Sequence, residues 1–479
     1  MSRFLLIEPP TPESPSKVMR IIGSIGSLKA LVKYPPHDLT VLGGYLRKNG
    51  IEDFKIVDAL NLNYSWEDVR KIIEKENPEA VIFTCTIPTL ENDVKVAKIA
   101  KEVSEDIKTI AINFMMESCR YNILERFSFL DFVCIRDYER PVLNLIKNNY
   151  DGKNVKGIYY RENGKVIKNS GDEFLWNLDE LGIPAHDKLP LKIYEDHIMI
   201  RKPLAMVLCS RGCVNQPNCF HCTATYLNPL RIRSVESVIE ELKFVESLGV
   251  KEIAFWDCEL PFERNNTSQK WAKKFFKRMI EEKFDFTWAC NARSDCINYE
   301  ILKLMKRAGC HTIKLGADSC SQTILNNMNK NETVEEIEKV AKLIKKLGFR
   351  LMTYCTMGHW GETPETMYKT IKWITNKLKP DFTTFSLVTP VKGTVFYEML
   401  KKKGLLEEKE GDPNAPLTYN LPTLNSKQAY KIAMWGYRHF YLRPSYIFKH
   451  LFKIRRPIWE IKNGIYFIYR YMIEPRLRK

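Results

Sequence analysis

The sequence predicts an α/β protein: an N-terminal doubly wound parallel sheet, then a partial (β/α)6 barrel, then a helical tail. Three observations predict it. Short apolar strands alternate with amphipathic helices through the first 150 residues, and the same alternation returns for six repeats between Leu204 and about Leu400. No short-period repeat of the solenoid kind interrupts either run. At 479 residues the chain exceeds one ordinary core. The expected units are 1–150, a hairpin and linker over 151–202, the barrel over 203–404, and a basic, aromatic extension over 405–479.

The first strand is Phe4 to Ile7, stopped by Pro9-Pro10. Leu39 to Lys48 is a helix closed by Asn49-Gly50, and Phe54 to Val57 is the next strand. Strands at Ala80 to Thr84, Thr109 to Ile112 and Phe132 to Ile135 follow, with helices around Asp93 to Glu102 and Arg140 to Asn148 between them. Such a sheet takes ligands at the carboxyl ends of its strands. Beyond Asp151 a hairpin with an Asn163-Gly164 turn and a connector marked by Pro184 and Pro190 place the boundary. The barrel strands are MVLC, EIAFW, FTWAC, TIKLG, LMTYC and TTFSLV. Helices at Val235 to Leu248, Ser268 to Glu282, Glu300 to Ala308, Val334 to Leu347 and Pro364 to Leu378 separate them. In a TIM-type barrel, chemistry belongs at the strand C-terminal ends.

Composition narrows the class. Apolar residues at 44% and charged residues at 28% describe a folded globular chain. Lys and Arg number 74 against 58 Asp and Glu, a formal +16. That balance suits an anionic partner (nucleic acid, a phosphorylated metabolite or a membrane surface) or equally a solvated Lys-rich exterior. The opening MSRFLLIEPP carries an apolar run too short for a signal peptide, and no stretch of about twenty apolar residues is present. Thirteen cysteines then point to metal ligation and buried thiols in a reducing cytoplasm. The tail from Gln428 is rich in Tyr, Phe, Trp, Lys and Arg. It can lie in a membrane interface, giving peripheral membrane contact, or pack its aromatics on the barrel, the favoured of the two.

The chemistry concentrates in Leu208 to Cys222, directly after the first barrel strand. Cys213, Cys219 and Cys222 can each bind one iron of a [4Fe–4S] cube and leave the fourth iron for a small chelating ligand. Zinc is the alternative, but it ordinarily takes a fourth Cys or His, and His221 sits in a tight turn between two of the thiols. Cys209 reads as a buried or neighbouring thiol.

These residues carry a resemblance. The chain is similar, from about Phe4 to Gly404, to radical S-adenosylmethionine (SAM) enzymes with an N-terminal cobalamin-binding domain. Ser210-Arg-Gly-Cys213 resembles that family's SRGC, and Cys219-Phe-His-Cys222 its CxxC. Five residues separate the first two cysteines where the family has three. The resemblance implies SAM on the open iron and a 5′-deoxyadenosyl radical released from it. It also implies the residues that hold SAM. Asp257 or Glu259, in Trp256-Asp-Cys-Glu259, offers a carboxylate to the amino group. Asn291 and Arg293 match a CNxR segment, Arg293 facing the SAM carboxylate. Asp318 and Ser319 stand for G-x-E-S, with Asp shorter than Glu. His221 takes the place of an aromatic residue near the adenine. Met357 to Thr363 resembles GxxGET and Thr389 to Thr394 resembles TPxxGT.

In the N-terminal unit, Glu8-Pro-Pro10, Tyr34-Pro-Pro36, Val57-Asp58 and Thr84 to Thr89 follow the cobalamin-binding layout. Two features depart from it. Ile112-Asn-Phe-Met-Met116 replaces the family's Gly-Gly-Pro-His, and no D-x-H-x-x-G segment supplies a cobalt-ligating His. Cobalamin and a vestigial domain are therefore both open. Cys85, Cys119 and Cys134 are expected to be buried thiols rather than a second cluster. The function expected is hydrogen abstraction from an unactivated carbon, followed by methylation, coupling or rearrangement of a small or lipid-like substrate. A flavodoxin or ferredoxin is the expected electron donor. Nucleic-acid modification and a non-catalytic iron–sulfur scaffold are the alternatives.

Overall fold

The computed structural model describes residues 2–10, 18–21, 24–27, 32–86, 89–112, 120–171, 174–406 and 419–451. Five parallel strands build the N-terminal sheet: β1 (Phe4–Glu8), β4 (Phe54–Asp58), β5 (Ala80–Thr84), β6 (Lys108–Ile112) and β7 (Phe132–Cys134). A short antiparallel pair, β2 (Val18–Ile21) and β3 (Ser24–Ser27), intervenes after β1. The sheet order is β4-β1-β5-β6-β7, so the winding reverses between β1 and β5. A crevice opens at the strand ends there, the usual ligand position in such sheets. β1 and β5 are buried at every residue, the continuous apolar run expected of strands covered on both faces.

One face of this sheet, through Leu5, Ile7, Val81 and Phe83, packs under the helices Trp66–Glu76 and Lys95–Val103. The other face, through Phe4, Leu6 and Ile82, belongs to an apolar core that continues into the barrel. The hairpin β8 (Ile158–Glu162) and β9 (Lys165–Asn169) pairs antiparallel to β7 and extends the N-terminal sheet to seven strands. The Pro-punctuated connector is no exposed tether. Its short turns bury Leu178, Leu181, Ala185, Leu189, Leu191 and Tyr194 between the two units. Its apolar residues lack a helical or strand period, so the sequence reads as loop although it packs as core.

The second sheet runs β10 (Leu204–Val207), β13 (Glu252–Phe255), β14 (Thr287–Ala292), β15 (Cys310–Gly316), β16 (Arg350–Met357) and β17 (Phe382–Leu387), all parallel and in chain order. Sequential order with a helix after each strand is the expected partial barrel, with β10 and β17 as its edges. Helix boundaries are set by local chemistry. Thr333 and Thr363 form capping boxes at Val334–Lys346 and Pro364–Trp373, and Pro364 occupies the first turn. The last turn of the predicted Pro364 to Leu378 helix widens into a π-helix over Ile374–Leu378.

The first part of the tail packs its aromatics, as favoured. Helix Ser426–Tyr441 lies on β17, where the Tyr441 hydroxyl donates to the Thr383 carbonyl at 2.7 Å and accepts from the Thr383 amide at 3.0 Å. That satisfies main-chain groups an edge strand would otherwise expose. Residues 452–479 lie outside the described residues, as do Cys119 and the Asn113-Phe-Met-Met116 segment.

Candidate functional site

β10 ends two residues before a two-residue ladder, β11 (Ser210–Arg211) against β12 (Arg231–Ile232), which closes the base of the cysteine loop. Gly212 turns the chain into that loop at φ +103°, and a Cβ there would meet the Leu230 Cα at 2.7 Å, so only glycine fits. The thiols of Cys213, Cys219 and Cys222 are free and half-buried. Each receives one N–H: Asn215 donates its amide to Cys213 Sγ at 3.4 Å and its side-chain Nδ2 to Cys219 Sγ at 3.5 Å, and the Ala224 amide donates to Cys222 Sγ at 3.4 Å. N–H donors favour a thiolate.

Burial acts the other way, raising the thiols of Cys213 and Cys219 and pushing Cys222 up to about 12. A bound iron–sulfur cluster would resolve this opposition by replacing the protons. Three N–H-solvated thiols on one loop fit an iron–sulfur cube. Among the described residues no three His, Cys, Asp or Glu side chains converge on a single-ion site. His221 turns its ring onto His359, with centroids 4.6 Å apart, rather than toward the cysteines. Cys209 is buried at the strand end, and its amide donates to Asp257.

The predicted carboxylates are tied to this loop. Asp257 accepts from the Cys209 amide at 2.9 Å and the Ser210 hydroxyl at 2.6 Å. Burial still raises its pKa to about 7. Glu259 accepts from the Val214 amide at 2.6 Å through Oε1, inside the loop itself. Asn291 donates to the Asp257 carbonyl at 2.7 Å. Arg293 places its fork on Asp295, with two bonds of 2.9 Å, and reaches Glu332 at 3.3 Å. A carboxylate ligand approaching Arg293 therefore meets a guanidinium already engaged by Asp295.

Asp318, at φ +44°, accepts from Lys330 at 2.7 Å and from the Thr356 hydroxyl at 2.7 Å. Against its burial, Lys330 holds that carboxyl well below the usual range. Thr356 in turn meets His359 Nε2 at 2.9 Å. Ser319 is buried, with its hydroxyl 3.4 Å from that of Thr370. Burial lowers His221 to about 4, so its imidazole is neutral at pH 7.

Several residues of this site escaped the sequence reading. Asn329, Lys330, Asn331 and Glu332 follow the short helix Gln322–Asn327 and clasp the cysteine loop. Asn329 Nδ2 donates to the Pro217 carbonyl at 2.7 Å, and the Met328 carbonyl accepts from the Phe220 amide at 2.9 Å. The Asn329 carbonyl accepts from Asn215 Nδ2 at 2.8 Å, and Asn331 donates to Asn215 Oδ1 at 2.9 Å. The longer spacing between the first two cysteines thus has a partner built for it. The polar run Asn-Lys-Asn-Glu after a helix was the available signal.

The N-terminal unit reaches the same place. Arg211, within the cysteine motif, pairs with Glu139 at 2.5 Å, and Arg231 pairs with Asp137; all four are buried. Tyr34 packs on Trp256 with ring centroids 4.8 Å apart, and Tyr194 donates to Asp58 at 3.0 Å. At the switch point of the N-terminal sheet, Thr84 donates to Glu8 at 2.5 Å.

Two parallel sheets whose strand ends meet over a three-thiol loop define an iron–sulfur enzyme of the α/β barrel class. Residues 207–374 match the model of the radical SAM superfamily. Over 459 residues the chain is 30% identical to an uncharacterized methyltransferase of Pyrococcus horikoshii, covering 94% of this chain and 95% of that protein. It is 26% identical over 375 residues to the anaerobic magnesium-protoporphyrin IX monomethyl ester cyclase of Rubrivivax gelatinosus, covering 76% and 66%. Among solved structures, the cobalamin-dependent SAM radical enzyme OxsB matches with a TM-score of 0.75 at 16% identity, over 98% of this chain and 71% of that one. The radical SAM methyltransferase TsrM from Kitasatospora setae matches with a TM-score of 0.63 at 17% identity, over 84% and 75%. These two likenesses are of fold. This chain belongs to the radical SAM superfamily, and it is an enzyme.

Proposed function

We propose that the protein is a corrinoid-dependent radical SAM enzyme that activates an unactivated C–H bond of a small or lipid-like substrate, with methylation of that carbon favoured over coupling or rearrangement. The observation that carries this reading is the meeting of two strand-end crevices. Loops at the strand ends of the N-terminal sheet and the mouth of the barrel meet across Tyr34 and Trp256, with ring centroids 4.8 Å apart, and across the Arg211–Glu139 pair. When bound, the cluster and SAM supply a one-electron route to a hydrogen-abstracting radical, and a corrinoid supplies a methyl carrier.

In this reading Cys213, Cys219 and Cys222 hold the cluster. Asp257 fixes the end of β10 against the loop, and Glu259 directs a carboxylate at the SAM amino group while pinning Val214. Asn291 and Arg293 line the methionine end, with Asp295 yielding or sharing the guanidinium. Asp318, Ser319 and the neutral ring of His221 border the nucleoside end. Thr84, Thr86 and Thr89 lie at and just past the end of β5 beside the switch point, with their hydroxyls tied to Glu8, to one another and to Asp93, so they would shape the floor of a corrinoid crevice rather than donate to the ligand. Relatives named as methyltransferases support methyl transfer over nucleic-acid modification.

The exposed Gln216 and Pro217 on the cysteine loop support delivery of electrons there by a small carrier such as a flavodoxin or ferredoxin. No helix among the described residues is long and apolar enough to cross a membrane. Exposed Ile447 and Phe448 on the helix Pro444–Leu451 support peripheral contact through the tail.

Anaerobic reconstitution with iron, sulfide and hydroxocobalamin, followed by reduction with SAM present, tests the proposal. Both 5′-deoxyadenosine and S-adenosylhomocysteine are expected. A fully loaded cluster that releases neither sinks it, and 5′-deoxyadenosine alone removes the methylation arm.

A further inference from the structure

Side chains alternate along each barrel strand, so one set faces the lumen. Partial exposure marks that set near the mouth: Asn291 on β14, Tyr354 and Thr356 on β16, and Thr384 on β17 lie between buried neighbours. Deeper down, the lumen is closed by a polar layer in which Arg350 donates to Thr312 at 2.9 Å and His311 meets Glu252 at 2.6 Å. Directly above that floor stands Lys314, in register with Asn291 and Met352.

The ammonium of Lys314 lies 4.5 Å from the face of Trp256 and 3.7 Å from Asp196 Oδ2, a separation longer than a hydrogen bond. Asp196 has nearer company at its other oxygen, since His197 Nδ1 lies 2.7 Å from Oδ1. A desolvated ammonium is costly unless well paired, and here its one carboxylate also serves His197 through Oδ1, while the rings of Trp256 and Tyr34 stand beside it. Tyr34, tilted against Trp256, comes from the N-terminal unit, so this wall is complete only when both units are docked.

We infer that Lys314 anchors a carboxylate of the substrate on the lumen floor, with the apolar body of that substrate lying against Trp256, Tyr34 and Tyr354 and its reacting carbon directed up toward the cysteine loop. This deepens the proposed function by assigning its substrate an anionic, aromatic or otherwise apolar class. No bond is made or broken by Lys314, which is a positioning residue.

Titration calorimetry on the reconstituted full-length protein tests this with 1-naphthoate and its neutral analogue 1-naphthamide. Naphthoate is expected to bind saturably, and naphthamide about tenfold more weakly, the value of one charge-assisted hydrogen bond. Lys314→Met is expected to lose about the same factor for naphthoate and nothing for naphthamide. Asp196→Asn, which removes the competing carboxylate, is expected to tighten naphthoate, and it keeps the test decisive if the Lys314 variant fails to fold. Absence of saturable binding, equal affinity in Lys314→Met, or weakening in Asp196→Asn overturns the anchor. So does displacement of naphthoate by SAM, which assigns the site to the methionine carboxylate. Release of 5′-deoxyadenosine, measured on the same preparations, reports separately on the proposed function.

Discussion

Lys330 and Lys314 are both buried cations of one barrel, one behind the cysteine loop and one on the lumen floor, and they are held in opposite ways. Lys330 touches Asp318 at 2.7 Å and Glu332 at 3.3 Å, inside a chain that runs on to Thr356, His359 and Arg293. Gly316 leaves room for it, since a Cβ there would meet Nζ at 2.7 Å. Lys314 has one carboxylate, at 3.7 Å, and an indole face. Burial opposes the charge on each. For Lys330 the carboxylates outweigh it and raise the pKa, whereas for Lys314 Asp196 only partly offsets it and the pKa is lowered. A completed network builds a scaffold, and an incomplete one holds a place for a ligand.

The comparison can be broken at its strongest point first. Replacing Cys213, Cys219 or Cys222 with Ala is expected to abolish iron–sulfur absorbance and bring 5′-deoxyadenosine to background, because the Lys330 scaffold then surrounds nothing. Lys330→Met leaves Asp318 and Glu332 buried without their shared cation. It is expected to lower unfolding free energy by about 3–5 kcal/mol in denaturant titrations. Lys314→Met is expected to cost roughly 1 kcal/mol in the same assay, since His197 and Tyr34 remain with Asp196. Equal losses would erase the distinction. Asn215→Ala removes the donor to Cys219 and the link to Asn329, each worth about 1 kcal/mol. Faster loss of iron to a chelator, with the fold retained, is the expected result.

The distinction between the two lysines was not legible in the sequence, although much around it was. Alternating strands and helices announced both sheets, because period and length report burial directly. The three cysteines and the strand-end positions of Asp257, Asn291, Arg293 and Asp318 were visible because such motifs are local. Their present partners were not: Arg293 with Asp295 and Asp318 with Lys330 are pairs chosen by the fold. Lys314 sits in an apolar strand, TIKLG, where its sequence gives no sign that Asp196 and Tyr34 arrive from elsewhere. Within 151–202 the stretch after the hairpin reads as a linker because its buried Leu residues follow neither helical nor strand period. The Asn163-Gly164 turn is local and visible in the sequence, but the pairing of its hairpin with β7 is a long-range choice.

The smallest expected effect is also the sharpest, because the two lysines should respond to alkali with opposite sign. A lysine whose folded pKa is lowered binds fewer protons when folded than when unfolded, between that value and the unfolded 10.5. Stability therefore rises with pH across that window. A lysine whose folded pKa is raised contributes stability that is fully present below 10.5 and is lost as pH climbs through the folded value. The acidic groups facing Lys314 are Asp196, the Cys290 thiol and Glu252. Unfolding of the wild type and of each Met variant at pH 7, 8.5 and 10 separates the cases. The deficit of Lys314→Met relative to wild type should grow as pH approaches 10, while that of Lys330→Met should stay level. A level deficit for both would mean that Lys314 is paired as completely as Lys330. The lumen would then hold a finished ion pair with no place kept for a substrate carboxylate.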